Sequence, residues 1–162
     1  MYDLKKNMIV QIAEKIDIPS WLVLAKEVEP LFGSLVEDPG FLAALDRNIQ
    51  RQSAFCIREK NGQAGSKILA GLLFSMKSPE YKIGWLAVTE PARYQGLGKL
   101  LVRYALGLVN LPAEISVVTF DVENKEGYPA RKFYKSLGFT PAEITEFGQD
   151  RSPRQVFRLK MN

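Results

Sequence analysis

Apolar residues recur along this chain with two different periods, and the points where one period gives way to the other mark out its elements. Met8 to Ile16 reads as an opening strand. Asp17-Ile18-Pro19-Ser20 then reads as a helix entry, with Ser20 placed to cap the periodic run from Trp21 to about Phe32. Gly33 and Ser34 break that helix, and Glu37-Asp38-Pro39 starts a second, in which Phe41, Leu42, Leu45 and Ile49 fall at helical spacing. Ser53 to Lys60 is extended, Asn61-Gly62 opens a turn-rich stretch to Ser66, and Ile68 to Met76 returns as an apolar strand, so the two read as an antiparallel hairpin. After the turn at Ser78-Pro79-Glu80, Tyr81 to Val88 adds a third member, nearly continuous in apolar character, as a strand covered on both faces would be.

Pro91 ends the strand region, and Leu97, Leu100, Leu101, Tyr104, Ala105 and Leu108 then form the clearest helix face in the chain, closed by Leu111-Pro112. Ile115 to Phe120 is a strand, and Pro129 to Leu137 is a short helix that buries Ala130, Phe133, Tyr134 and Leu137 and stops at Gly138. Two more strands fall around Ala142 to Phe147 and Gln155 to Met161. The resulting order is β-αα-βββ-α-β-α-ββ, an α/β (α+β) arrangement. At 162 residues the chain has the size of one domain, so residues 1–162 are read as a single unit.

Composition narrows the chemistry mainly through what is missing. The chain holds no histidine, which removes Ser-His and Cys-His nucleophilic pairs, a histidine general base and HExxH zinc sites. Its one cysteine, Cys56, sits in an early apolar strand and can form neither an internal disulfide nor a cysteine cluster for a metal, so no metal is expected. The formal charge of +4 comes from dispersed Lys and Arg, without the basic clusters of a nucleic-acid binder. No apolar run approaches the roughly 20 residues of a membrane span, and the first ten residues lack a signal-peptide pattern, so a cytoplasmic location with neither membrane nor nucleic acid as partner is expected.

The segment richest in chemistry is Arg93-Tyr94-Gln95-Gly96-Leu97-Gly98, set between a strand and the amphipathic helix it opens. Glycines at 96 and 98 let the backbone approach a ligand, and the free N–H groups of a helix start favour negative charge. No acidic residue occurs from Pro91 through Ala113, whereas Arg93, Lys99 and Arg103 do, which suits a diphosphate. Two common nucleotide loops fail here: counted from Gly96, the third glycine of a dinucleotide fingerprint falls on Leu101, and Gly98-Lys99 is followed by Leu100 where a Walker loop needs Ser or Thr.

R-x-x-G-x-G after Trp85-Leu86-Ala87-Val88 resembles the acyl-CoA binding motif of the GNAT superfamily of N-acetyltransferases. A second block, Asn124 followed by Ala130-Arg131-Lys132-Phe133-Tyr134-Lys135-Ser136-Leu137-Gly138-Phe139, resembles that family's later segment. The likeness covers roughly residues 66 to 140, and the order of elements matches the family's fold, a mixed, mostly antiparallel sheet of about seven strands flanked by about four helices. It implies a co-substrate, acetyl-CoA, and a set of contacts. Backbone groups of Leu86, Ala87 and Val88 would meet the pantetheine and acyl group. Those of Tyr94, Gln95, Gly96, Leu97, Gly98 and Lys99, with the Arg93 side chain, would hold the pyrophosphate, and Asn124 would face the cofactor arm.

The same likeness makes Tyr134 the catalytic candidate, its phenol supplying a proton or hydrogen bond to the departing CoA sulfur. The general base is left unassigned. Many relatives place a Glu on the strand ahead of the acyl motif, but Lys82-Ile83-Gly84-Trp85 contains no carboxylate, and Glu80, Asp121 and Glu123 are candidates by sequence proximity only. The expected activity is acetyl transfer to a primary amine, on a small molecule or a protein, by direct attack in a ternary complex. A catalytically silent acyl-CoA sensor is the second reading, and the exposed late strands leave pairing into a homodimer open.

Overall fold

The structure, a computed structural model, describes residues 7–145 and 153–162. Seven strands form one sheet: β1 (Gln11–Ile12), β2 (Ala54–Arg58), β3 (Ile68–Lys77), β4 (Glu80–Val88), β5 (Ala113–Phe120), β6 (Thr140–Thr145) and β7 (Arg154–Met161), in the order β1-β2-β3-β4-β5-β7-β6. Every neighbouring pair is antiparallel except β4 with β5. Among the described residues four α-helices cover the sheet: α1 (Ile18–Phe32), α2 (Pro39–Gln50), α3 (Leu97–Leu106) and α4 (Tyr128–Ser136). Order and counts agree with the pattern of the sequence, and no helix among the described residues is long and apolar enough to cross a membrane.

The helices divide the interior into two cores. Trp21, Leu24, Ala25 and Val28 of α1 and Phe41, Leu45 and Ile49 of α2 pack with Trp85 and Ala87 on one face of the sheet. On the other face Leu97, Leu101, Val102 and Ala105 of α3 and Tyr134 of α4 pack with Phe55, Ile83, Ile115 and Phe157. Gly71 of β3 allows the close seating of α1, since a Cβ there would stand 2.8 Å from the Trp21 ring.

The pairing of β4 carries the main departure from a regular sheet. Leu73 of β3 faces Trp85, but the next residue, Phe74, faces Ile83, so Gly84 is an extra residue on β4 and makes a β-bulge. A bulge bends its strand and reverses the facing of the side chains beyond it. Accordingly Tyr81 and Ile83 belong to the core under α3 and α4, whereas Trp85 and Ala87 belong to the core under α1 and α2. The parallel pairing of β4 with β5 runs from Glu80↔Glu114 to Ile83↔Val117 and stops at the bulge. Beyond it the two strands separate, and a cleft opens in the middle of the sheet.

Several local expectations are corrected. The first strand is only Gln11–Ile12, because Lys15–Asp17 turns into a 3-10 helix where an extended run was read. Ser20 does not cap α1, which begins at Ile18, and the Ser20 hydroxyl donates instead to the Gly65 carbonyl at 3.0 Å. α3 ends at Leu106, leaving Leu108 exposed outside it, and Val102 is buried in its place. On α4 the buried residues are Arg131 and Tyr134, with Ala130, Phe133 and Leu137 only half-buried. Arg131 fits there because Nη1 donates to the Phe120 carbonyl at 3.0 Å and its guanidinium lies over the Phe157 ring. Phe147 lies outside the described residues.

Asp17 explains the altered N-terminal region. Its carboxylate is fully buried and accepts from Arg58 Nε at 3.1 Å, Arg58 Nη2 at 2.6 Å, Glu14 N at 2.8 Å and Gly65 N at 2.8 Å. Burial alone would raise its pKa, but the hydrogen bonds from Arg58, Glu14 and Gly65 outweigh it and hold the carboxyl below its ordinary value. Removing one partner of such a pair strands a buried charge. Asp17→Asn is therefore expected to cost about 3–5 kcal/mol in urea unfolding, because Arg58 loses its counter-ion. Because folding lowers this pKa, the stabilisation is complete above the unfolded carboxyl's pKa and is lost as pH falls through the folded value. The variant should lack that acid-side loss.

Candidate active site

The cleft between β4 and β5 is lined by backbone that the sheet leaves unpaired. Thr89 N donates to Leu69 O at 2.8 Å, and alternation of an antiparallel ladder then makes Ala87 with Gly71 the next bonded pair. Leu86 and Val88 lie between these pairs. Their N–H and C=O groups face the cleft, those of Ala87 face β3, and the Leu86 and Val88 side chains pack on the α3 and α4 side. Of the three residues expected here, the structure thus turns two toward the opening and one away from it.

After Val88 the chain passes through a 3-10 turn, Glu90–Ala92, and reaches α3 in two left-handed steps, Tyr94 (φ 63°) and Gly96 (φ 85°). Glycine meets such a φ without strain, and Tyr94 adopts it with its side chain 92% exposed, held by no core contact. The first bond of α3 runs from Leu100 N to Gly96 O at 3.0 Å. Among the described residues, no protein acceptor engages the N–H groups of Tyr94, Gln95, Gly96, Leu97, Gly98 or Lys99. Six successive free donors at a helix start make a cradle suited to an anion, and a hydrogen bond from one of them to a charged oxygen would contribute about 1.5–3 kcal/mol. Leu97 itself is buried in the core, so only its backbone serves the cradle.

Gly98 also brings the two flanking helices together, since a Cβ there would stand 3.3 Å from the Phe133 ring of α4 and 3.8 Å from Val88. α3 packs over β2, β3 and β4 and α4 over β5, so the β4–β5 cleft lies between the two helices. Arg93 turns back from the cradle: its Nε donates to the Val88 carbonyl at 3.0 Å, and its Nη2 lies 3.9 Å from Glu27 of α1. Asn124 caps the turn before α4, its side chain accepting from Glu126 N at 3.0 Å.

Tyr134 sits on the same side of the sheet as Leu86 and Val88, with its ring edge-on to Phe133 and Phe139 at 5.1 and 5.6 Å. No group among the described residues hydrogen-bonds its hydroxyl, and burial pushes the phenol pKa up, so it is neutral at any working pH. The three carboxylates named from sequence separate clearly. Glu80 begins β4, about 26 Å from the Val88 end at strand rise, which removes it from the site. Asp121 and Glu123 directly follow β5 at the open end, Asp121 buried and Glu123 exposed.

On the opposite face of the sheet, aromatic rings border the cleft. Phe32, at the end of α1, lies 6.3 Å from both Trp85 of β4 and Phe120 of β5, and Phe41 of α2 lies 5.5 Å from Trp85. Sequence reading put Phe32 at the end of the first helix and Phe41 on the second but gave no reason to connect Trp85 with Phe120, because the bulge sets that facing. It also missed Glu27, which belongs to no motif.

The candidate site is therefore a parallel strand pair that separates beside a helix start with unengaged N–H groups. The chain belongs to the GNAT acetyltransferase family: the family model described as Acetyltransferase (GNAT) domain matches residues 51–141. Solved structures share the fold at low identity. A GNAT family acetyltransferase from Bacillus cereus superposes with a TM-score of 0.72 at 17% identity, covering 96% of this chain and 98% of that one. Ribosomal-protein-S18-alanine N-acetyltransferase from Escherichia coli gives 0.71 at 19% identity over 96% and 94%. Ard1 from Thermoplasma volcanium gives 0.70 at 21% identity over 96% and 99%. No protein of curated function matches the chain in sequence.

Cys56 stands apart from this site. It is fully buried, and burial pushes its thiol up to about 12, so almost no thiolate exists at neutral pH. Native protein is expected to show no reaction with a thiol-specific disulfide reagent at pH 8 on the time scale that modifies one thiol per chain after unfolding in urea. Rapid labelling of the native state would contradict the burial.

Proposed function

We propose that this chain transfers an acetyl group from acetyl-CoA to a primary amine, with both substrates bound at once. The observation that carries the reading is the row of unengaged N–H groups from Tyr94 to Lys99 at the end of the β4–β5 cleft. A diphosphate matches that cradle in charge and in its number of acceptors, and the cleft leads from the cradle past Leu86 and Val88 as a pantetheine arm requires. The Arg93 guanidinium, turned back onto the Val88 carbonyl, braces the end of β4 in this reading, and Asn124 caps the turn that follows the open end of β5.

In this reading the amine attacks the thioester carbonyl, the C–S bond breaks, and the electron pair leaves on sulfur. Leu86 N–H and Val88 N–H face the cleft and are placed to hold the carbonyl oxygen as it gains charge. Tyr134 holds the proton that the leaving sulfur needs, and its raised pKa means it acts by hydrogen bonding with late proton transfer rather than as an ionised group. Of the carboxylates considered, Asp121, buried directly after β5, is the base in this reading and takes the amine proton. Amines on peptides are acceptors for some proteins of this fold: one solved structure is of plant Naa50, from Arabidopsis thaliana, with the bisubstrate analogue CoA-Ac-MVNAL, at 15% identity. The second reading, a silent sensor, would share the cradle without the chemistry.

Free-thiol release from acetyl-CoA across a panel of small amines and peptide N-termini tests the proposal. Tyr134→Phe is expected to lower turnover by about 10²- to 10⁴-fold while CoA still binds. Because Tyr134 stays neutral, the wild-type rate should show no alkaline loss assignable to it below about pH 10. No thiol release with any amine, together with intact CoA binding, would leave the sensor.

A further inference from the structure

Glu27 lies on α1, on the face of the sheet that carries Trp85 and Ala87, and its carboxylate reaches the chain that leaves the end of β4 for the cradle. Oε1 accepts from Thr89 Oγ1 at 2.6 Å, Oε2 accepts from Glu90 N at 2.8 Å, and Oε2 stands 3.9 Å from Arg93 Nη2. On elementary electrostatics this is an odd place for a negative charge, since the cradle beside it is built for an anion and like charges repel. What the carboxylate does instead is fix three points of one short segment. Val88 is the last residue of β4, Glu90–Ala92 is the 3-10 turn, and Arg93 is the last residue before the left-handed pair that aims the six donors. Charge-assisted hydrogen bonds are about twice as strong as neutral ones, so a carboxylate is the strongest acceptor available for this purpose.

We infer that Glu27 is a positioning residue of the diphosphate cradle: through Thr89, Glu90 and Arg93 it holds the loop in the conformation that leaves the N–H groups of Tyr94 to Lys99 free of protein acceptors. The inference rests on the proposed function of the cradle and adds a residue that no motif contains. It also ties the cofactor loop to α1, whose last residue, Phe32, borders the opposite side of the cleft.

Charge and clamp predict opposite signs, and this makes the inference testable. Glu27→Gln keeps the shape and removes the charge, so a residue that merely repels the ligand would give tighter CoA binding when replaced. The clamp predicts weaker binding: by calorimetry, about ten-fold for Glu27→Ala and about three-fold for Glu27→Gln and for Thr89→Val. In the double variant Glu27→Ala/Thr89→Val the loss should match that of Glu27→Ala alone rather than the product of the two. The backbone amide resonances of Tyr94 to Lys99 should shift in ligand-free Glu27→Ala while those of β2 and β3 stay in place, a signature that general destabilisation does not give. Tighter binding by Glu27→Gln, affinities within two-fold of wild type, or unmoved Tyr94–Lys99 amides would each overturn the clamp. Wild-type protein that gives no heat with CoA would overturn the proposed ligand instead, and the ligand-free amide resonances would then decide on Glu27 by themselves.

Discussion

The site depends on one extra residue in one strand. With Gly84 inserted opposite Leu73 and Phe74, β4 cannot stay flat against both of its neighbours, and it keeps β3 while leaving β5. The hydrogen bonds lost on the β5 side are the ones that become available to a ligand, since Leu86 and Val88 turn their amides into the gap. Unpaired backbone inside a protein is costly unless something satisfies it, so a cleft of this kind is stable only where water or a ligand can enter. The bulge therefore creates the opening and also supplies its chemistry.

The two faces of the split sheet carry different tasks. α3 and α4 stand on one face, where Gly98 against Phe133 closes the end of the cleft beside the cradle and Tyr134 presents a neutral hydroxyl. α1 and α2 stand on the other, where Phe32, Trp85 and Phe120 form an aromatic border. Glu29 stabilises that side by accepting from Leu35 N and Val36 N at 2.9 and 3.0 Å, which pins the connection between α1 and α2. Farther along the sheet, Arg158 of β7 pairs with Glu114 of β5 at 3.1 Å and with Glu143 of β6, fastening the last three strands together. The cleft thus lies in a frame braced on both sides.

Much of this was readable from residue order. The element sequence follows from hydrophobic periodicity, the start of α2 from Asp38, which does accept from Gly40 N and Phe41 N, and the start of α3 from the glycines at 96 and 98. What stayed hidden has a common cause. Trp85-Leu86-Ala87-Val88 is apolar at every position, so a reversal of facing at Gly84 leaves no mark on the pattern. Glu27, Asp17 and Arg58 act through partners as far as 41 to 66 residues away, and a lone charged residue gives no hint of such a partner. Arg131 was hidden by habit of composition, because a buried arginine is expected only where carbonyls and a ring receive it, and those come from β5 and β7.

The central claim is that main-chain donors at the start of α3 hold a diphosphate, and titration calorimetry with a set of truncated ligands tests it most directly. CoA and its form lacking the 3′-phosphate should both bind, whereas pantetheine, which has the arm but no diphosphate, should bind at least about a hundred-fold more weakly. Equal affinity for pantetheine and CoA, or no heat from either with the protein folded, would contradict it.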